Sequence, residues 1–199
     1  MSELVEYTRE NYPSFGKKYK GEKAVISLTS WTARINTVAK TLYSLVKMCP
    51  GFHIMLVLAE EEFPKMIKEL PENLMLFVDN ELIELMFVRK NYKSFKKVLF
   101  SMDKYRDVPV ISADDDCIYT CNYAQELYDK WLTDKSSIWS FHLCKVCHFQ
   151  HGPTTLYPPK CFNDFGLKNL TSEIMKTNHD DVYYGCLARK MKIKIKEVS

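Results

Sequence analysis

Hydrophobic and polar positions alternate in short blocks along this chain, and the blocks predict strands and helices in turn. Lys23–Thr29 (KAVISLT), His53–Leu58 (HIMLVL) and Val108–Ala113 (VPVISA) are short, β-branched and almost free of charge, as strands buried on both faces are. Glu84–Val88 and Ser137–Phe141 read as further strands, and Leu74–Val78 as a weaker strand candidate. Met191–Val198 (MKIKIKEV) alternates with period two, predicting a half-exposed strand whose lysines protect a sheet edge. Between the strands, Thr37–Met48 gathers Ile35, Val38, Leu42, Leu45 and Val46 on one helical face and is closed by Pro50-Gly51. Pro64–Leu70 predicts a short helix ended by Pro71. Ser94–Tyr105 sets Phe95, Val98, Leu99 and Met102 at helical spacing, and Ala124–Leu132 and Asp180–Met191 complete the helices. Residues 1–22 read as an N-terminal arm and 142–172 as an irregular stretch rich in Cys, His, Pro and Gly.

Strands alternating with helices over 23–132 predict an α/β domain with a mainly parallel central sheet flanked by helices and joined by right-handed crossovers. The chain has 199 residues, 46% of them hydrophobic, which fits one domain over 23–199 with its own core. A net charge of +3 is too mild to argue for a nucleic-acid partner. Seven cysteines, an odd number, follow an N-terminus without a long apolar segment; free thiols in a reducing cytoplasm are expected. No stretch reaches the about 18 uncharged residues that span a bilayer. Neither GxGxxG nor GxxxxGK[ST] occurs, which argues against the usual dinucleotide and P-loop sites.

The chemistry concentrates at Asp114-Asp115-Asp116, directly after the 108–113 strand. Ligands of open α/β sheets bind outside the carboxyl ends of the strands. Three adjacent carboxylates repel, and a hard divalent ion with oxygen ligands, Mn²⁺ or Mg²⁺, would offset them. The plainer reading is a solvated turn that caps the next helix. His179-Asp180-Asp181 opens the last helix; either acid suits that place by dipole and capping, or serves as a general base. Ser27–Arg34 (SLTSWTAR) offers hydroxyls, an aromatic ring and an arginine where a nucleotide could sit, or caps the next helix. Lys93, Lys96 and Lys97 share one helical side; a solvated face is expected for two of them, with one free to reach a nucleotide or the acids. Cys144, Cys147, His148 and His151, with Cys161 further on, raise a structural zinc site, although the second half of such a motif is missing.

Taken in order, VISLTSWTARINTV (25–38), KSFKKVLFSMDKYRDVPVISADDDCIY (93–119), HGPTTLYPP (151–159) and HDDVYYGCLARKMKIKI (179–195) resemble glycosyltransferases of the GT-A fold. The likeness is to small bacterial polysaccharide-biosynthesis enzymes and to the Fringe and β-1,3-galactosyltransferase group. It implies a Rossmann-like nucleotide-diphospho-sugar transferase with a nucleotide-sugar-binding half over 23–120 and an acceptor-side half over 121–199. It further implies that Asp116, with Asp114, binds the metal, and that Asp114 or Asp115 contacts the ribose or a metal-bound water. Thr29, Ser30 and Arg34 would line the nucleotide pocket, with Lys97 nearby. Asp181 would be the base of an inverting reaction and Asp180 its orienting partner, or the reverse. The implied donor is a UDP-sugar and the acceptor a glycan or lipid-linked oligosaccharide, handled in the cytoplasm with peripheral contact at the membrane face. A metal-dependent nucleotidyltransferase or phosphatase, and a non-catalytic sugar-nucleotide or zinc-stabilised module, are the competing readings. The family's GGxG acceptor loop is replaced by His151-Gly152-Pro153-Thr154. No histidine follows His179 as a third metal ligand, leaving His142, His148, His151 or water for that place.

Overall fold

The apolar blocks pair into one sheet. The computed structural model describes residues 12–142, 154–162, 168–170, 172–176 and 179–198. Its strands are β1 (Ser14–Gly16), β2 (Val25–Thr29), β3 (His53–Ala59), β4 (Glu84–Val88), β5 (Val110–Ser112), β6 (Ile138–Ser140), β7 (Thr155–Tyr157) and β8 (Ile195–Glu197). Its helices are α1 (Val38–Met48), α2 (Glu72–Asp79), α3 (Lys96–Lys104), α4 (Tyr123–Thr133), α5 (Ser172–Lys176) and α6 (Asp180–Lys190). The strand order among the described residues is β1-β4-β3-β2-β5-β7-β6-β8. Strands β4, β3, β2 and β5 are mutually parallel, the arrangement that helical crossovers impose. Strand β7 runs antiparallel to both β5 and β6, and β8 parallel to β6. The result is the α/β fold expected from the sequence, with a parallel centre and mixed flanks.

Alternation of side chains along each strand divides the core in two. Ile26, Leu28, Leu56 and Leu85 meet Leu42 and Leu45 of α1 and Leu74 of α2 on one face. Val25, Met55, Val57 and Met86 meet Val98 of α3 and Tyr184 and Leu187 of α6 on the other. Each fully buried side chain of this size contributes roughly 2 kcal/mol relative to exposure, so a sheet covered on both faces is strongly favoured. Strand β8 is an edge, and the ammonium of Lys196 lies 2.7 Å from Asp134 and over the Trp139 ring.

Three local expectations are corrected. Leu74–Val78 is not a strand but the middle of α2. Pro71 precedes the helix, Glu72 lies in its first turn, and Leu74 and Val78, four apart, form its buried side while Leu76 is exposed. A five-residue apolar run cannot reveal its period. The 64–70 helix is a 3₁₀ turn over Met66–Glu69. Strands β1 and β7 arise in segments read as arm and irregular loop. Strand β1 lies antiparallel on β4, and the Pro13 carbonyl accepts the Phe87 N–H at 2.9 Å. Gly16 makes this approach feasible: its φ is +81°, and a Cβ there would fall 2.5 Å from the Ile83 carbonyl oxygen.

The amino ends of β3 and β4 share a buried polar knot. The Glu84 carboxylate accepts from Ser14, Lys104 and Tyr105, and its Oε2 lies 2.7 Å from Nε2 of the fully buried His53. Burial alone would raise the Glu84 pKa; the bonds from His53, Lys104, Ser14 and Tyr105 outweigh it and hold the carboxyl at about 2, against an ordinary 4.5. Because the folded value is depressed, the stabilisation is complete above 4.5 and is lost as pH falls toward 2. Glu84→Gln is expected to destabilise the fold by on the order of 3 kcal/mol near neutral pH. Urea denaturation should show that difference shrinking through the same acidic window; a gap independent of pH would contradict the assignment.

Candidate active site

Strands β2, β3, β4 and β5 deliver their carboxyl ends to one side of the sheet. The chain steps from β2 outward through β3 to β4, then returns to the other side of β2 as β5. A crevice opens at such a reversal of strand order. A cavity of about 590 Å³ lies here. Thr29, Ser30, Trp31 and Arg34 line it from β2 and its following turn, and Glu62 from the segment after β3. Asn91, Lys93 and Ser94 come from the segment after β4, Lys96 and Lys97 from α3, Asp114–Asp116 from the segment after β5, and Asp180 from the start of α6.

The three aspartates have three different environments. Asp115 is buried; its Oδ2 accepts from Ser30 Oγ at 2.6 Å and its Oδ1 from Arg34 Nη1 at 2.8 Å. Thr41 of α1 donates to the Asp115 carbonyl at 2.9 Å, and the Tyr119 N–H donates to Ser44 Oγ at 3.1 Å. The acidic loop is thereby stitched to α1. Asp114 Oδ1 accepts from Lys97 Nζ at 2.7 Å, and its N–H donates to the Tyr119 hydroxyl at 3.0 Å. The side chain of Asp116 is 54% exposed, with Oδ2 3.0 Å from Arg34 Nη1.

Of the three lysines, Lys97 is the one that reaches the acids, and Lys96, expected on a solvated face, is buried as well. Lys97 Nζ lies 2.7 Å from Asp114 and 3.2 Å from Asp180, joining the loop after β5 to the start of α6. Burial would lower its pKa, but the carboxylates of Asp180 and Asp114 outweigh that and hold the ammonium above the usual lysine range. Lys96, 1% exposed, reaches Glu62 Oε2 and Asn91 Oδ1, each at 2.9 Å. Burial pushes its pKa down, against the pull of Glu62. The helical pattern misled for Lys96 because apolar residues surround it: Phe95, Val98, Leu99 and Phe100 are all buried.

Of the residues singled out in the sequence, the structure brings Thr29, Ser30, Arg34, Lys97, Asp114, Asp115, Asp116 and Asp180 to one cavity. Thr29 spends its hydroxyl on the Val57 carbonyl at 2.6 Å. Asp181 is half-buried and is not among the residues lining the cavity. His142 is exposed, and Cys161 is a buried core thiol whose pKa burial pushes up. Cys144, Cys147, His148 and His151 lie outside the described residues. Glu62 and Asn91 escaped the sequence reading. Both follow closely on the carboxyl ends of buried strands, as Ser30 and Asp114 do, and that position was the available signal.

Among the described residues no three His, Cys, Asp or Glu side chains form a metal-holding group. The cavity suits a different kind of ion site. Five carboxylates face four cationic side chains, and a bound diphosphate would add further negative charge. Mg²⁺ and its like are commonly held by one or two carboxylates, with substrate phosphates and water completing the shell. The exposed carboxylate of Asp116 beside Asp114 fits that role.

No protein-family model matches the chain. No curated protein matches it either. Solved structures do resemble it. With S. aureus TarS (residues 1–349) the TM-score is 0.53 at 12% identity, over 82% of this chain and 56% of that one. The same protein in complex with UDP gives 0.52 at 12% identity, over 82% and 55%. The mannosyltransferase PcManGT from Pyrobaculum calidifontis, in complex with GDP-Man and Mn²⁺, gives 0.51 at 9% identity, over 95% and 58%. The chain therefore spans a little over half the length of these proteins. At such identities the likeness carries the fold: this is the α/β fold of glycosyltransferases of the GT-A kind.

Removing the shared cation has a defined cost. Lys97→Met leaves Asp114 and Asp180 buried or half-buried without it, and breaking a buried pair from one side costs roughly 3–5 kcal/mol. A chemical-denaturation midpoint lowered accordingly is the expected result; an unchanged midpoint would show that Lys97 does not hold the two segments together.

Proposed function

We propose that the chain is a metal-dependent glycosyltransferase that takes a sugar from a nucleotide sugar, a UDP-sugar in the first instance, to a hydroxyl of a glycan or lipid-linked acceptor. The observation that carries this reading is one cavity at the switch point of a GT-A-type sheet, where Ser30, Arg34, the acidic triplet and Asp180 converge. The UDP bound to TarS and the GDP-Man and Mn²⁺ bound to the mannosyltransferase support a nucleotide-sugar donor and a divalent ion.

In this reading the work divides by environment. Asp115, consumed by Ser30 and Arg34, fixes the loop and leaves its neighbours to meet the donor. Asp116, with Asp114, holds Mn²⁺ or Mg²⁺; the ion, when bound, supplies Lewis acidity for the departing nucleoside diphosphate. Arg34 and Lys93 offer positive charge to the phosphates from the cavity wall. Glu62, Asn91 and Ser94 present hydrogen-bonding groups on the β3–β4 side, and the buried Ser94 hydroxyl has no partner among the described residues.

Asp180 is the better base. It lines the cavity, and while Oδ2 is 3.2 Å from Lys97, no hydrogen bond engages Oδ1 among the described residues. The acceptor oxygen attacks the anomeric carbon as its proton passes to Asp180. The bond from that carbon to the diphosphate oxygen breaks, and inversion follows from the single displacement. Lys97 holds Asp180 against the donor side of the cavity, so donor and base share one frame. No helix among the described residues is long and apolar enough to cross a membrane. On the family resemblance, a lipid-linked acceptor would be met in the cytoplasm by peripheral contact at the membrane face.

Two measurements test this. Calorimetry should show UDP binding that requires Mn²⁺ and is lost in Asp116→Asn; binding indifferent to both would contradict the donor site. In a nucleoside-diphosphate release assay with the donor that binds, Asp180→Asn should lower kcat by about 10²–10⁴-fold with little change in donor KM. Loss of turnover in Asp181→Asn alone would move the base to that residue.

A further inference from the structure

Arg34 uses its guanidinium in an unusual way. One nitrogen, Nη1, serves two carboxylates: Asp115 Oδ1 at 2.8 Å and Asp116 Oδ2 at 3.0 Å. A guanidinium favours two parallel N–H groups on one oxyanion. That fork is unspent here, since Nη1 makes the only polar contacts of the guanidinium among the described residues.

The two contacts differ: that with Asp115 is a hydrogen-bonded ion pair, that with Asp116 an ion pair alone. The Asp115 carboxylate is buried and is fixed independently by Ser30, while its carbonyl is held by Thr41. The Asp116 carboxylate stands in solvent, where an ion pair contributes only about 0–1 kcal/mol. The side chain of Arg34 is itself 44% exposed. Arg34 is therefore pivoted on Asp115 and laid loosely across Asp116.

We propose, resting on the donor-site reading above, that Arg34 is a switch on Asp116. Without donor it neutralises Asp116 and competes with a divalent cation for that carboxylate. The two phosphoryl groups of a nucleoside diphosphate offer the paired oxyanions that its fork lacks. Arg34 turns to them about Asp115 and leaves Asp116 open to the cation. Cation and diphosphate are then coupled through a protein side chain as well as through their own contact, and the coupling is reciprocal. Arg34 is a positioning residue in this scheme, and its signature is a gain in binding when it is removed.

The test uses Mn²⁺ alone, and UDP or GDP at saturating Mn²⁺, as probes, with Mn²⁺ binding read by electron paramagnetic resonance and nucleotide binding by calorimetry. Arg34→Gln is expected to bind Mn²⁺ without nucleotide about 5–10-fold more tightly than wild type, and to bind the nucleotides less tightly. The double variant Arg34→Gln/Asp116→Asn should lose the gain for Mn²⁺. Arg34→Lys keeps the charge without the fork, so it should hold Mn²⁺ off as wild type does and still bind the nucleotides more weakly. Arg34→Gln removes one partner of the buried Asp115 carboxylate and should lower the thermal midpoint; a single cooperative transition above the assay temperature confirms that each variant is folded. Unchanged or weaker Mn²⁺ binding in folded Arg34→Gln, with UDP or GDP still binding wild type, overturns the switch alone. Wild type that binds neither nucleotide, with or without Mn²⁺, overturns the donor-site reading and the switch with it.

Discussion

A buried ammonium organises this site. Lys97 sits beneath the cavity with almost no exposure, and a charge taken out of water must be paired to persist. Its two partners come from distant parts of the chain: Asp114 from the loop after β5 and Asp180 from the first turn of α6. Satisfying one lysine therefore draws the acidic triplet and the last helix together. The same helix is fixed beside α3 by the Tyr184 hydroxyl, which donates to the Phe95 carbonyl at 3.2 Å. The acidic triplet and the start of α6 thus share one support, which is what the proposed reaction between two bound molecules would require of its protein.

Around that support the acidic triplet divides its labour by depth. The middle aspartate is spent on the protein, the first is shared with Lys97, and the third is left toward solvent. Three identical side chains in sequence acquire three environments because the chain leaves β5 and enters a turn at Asp115 and Asp116, which faces them to different surroundings. Arg34 and Lys97 supply the positive charge that lets three carboxylates coexist. Each stands where a ligand or ion could take over part of that duty.

Much of the centre of the fold was legible in the sequence, and its margins were not. Strands β2, β3 and β5 are covered on both faces, so their uninterrupted apolar runs announce them. The triplet after β5 and the pair opening α6 were legible because acids stand out directly after apolar runs or before a helix. Leu74–Val78 failed because a run so short is compatible with either period. Strands β1 and β7 failed because three residues each carry too little pattern, and both exist only through their partners β4, β5 and β6. Lys96 failed because lysine is usually solvated; only its contacts with Glu62 and Asn91 reveal why it is buried. Glu62 and Asn91 failed because neither belongs to a motif. Their place just beyond β3 and β4 is a property of the sheet.

The central claim is that the cavity at the carboxyl ends of β2 to β5 receives a nucleotide-sugar donor together with a divalent ion. Crystals grown with UDP or GDP and Mn²⁺ would test it most directly, by locating the manganese through its anomalous scattering. The account predicts a single strong peak beside Asp116, bridged to the two phosphates, with the nucleoside running toward Glu62 and Asn91. A nucleotide bound elsewhere, or diphosphate in this cavity with Arg34 still on Asp116 and no manganese beside it, would contradict the account.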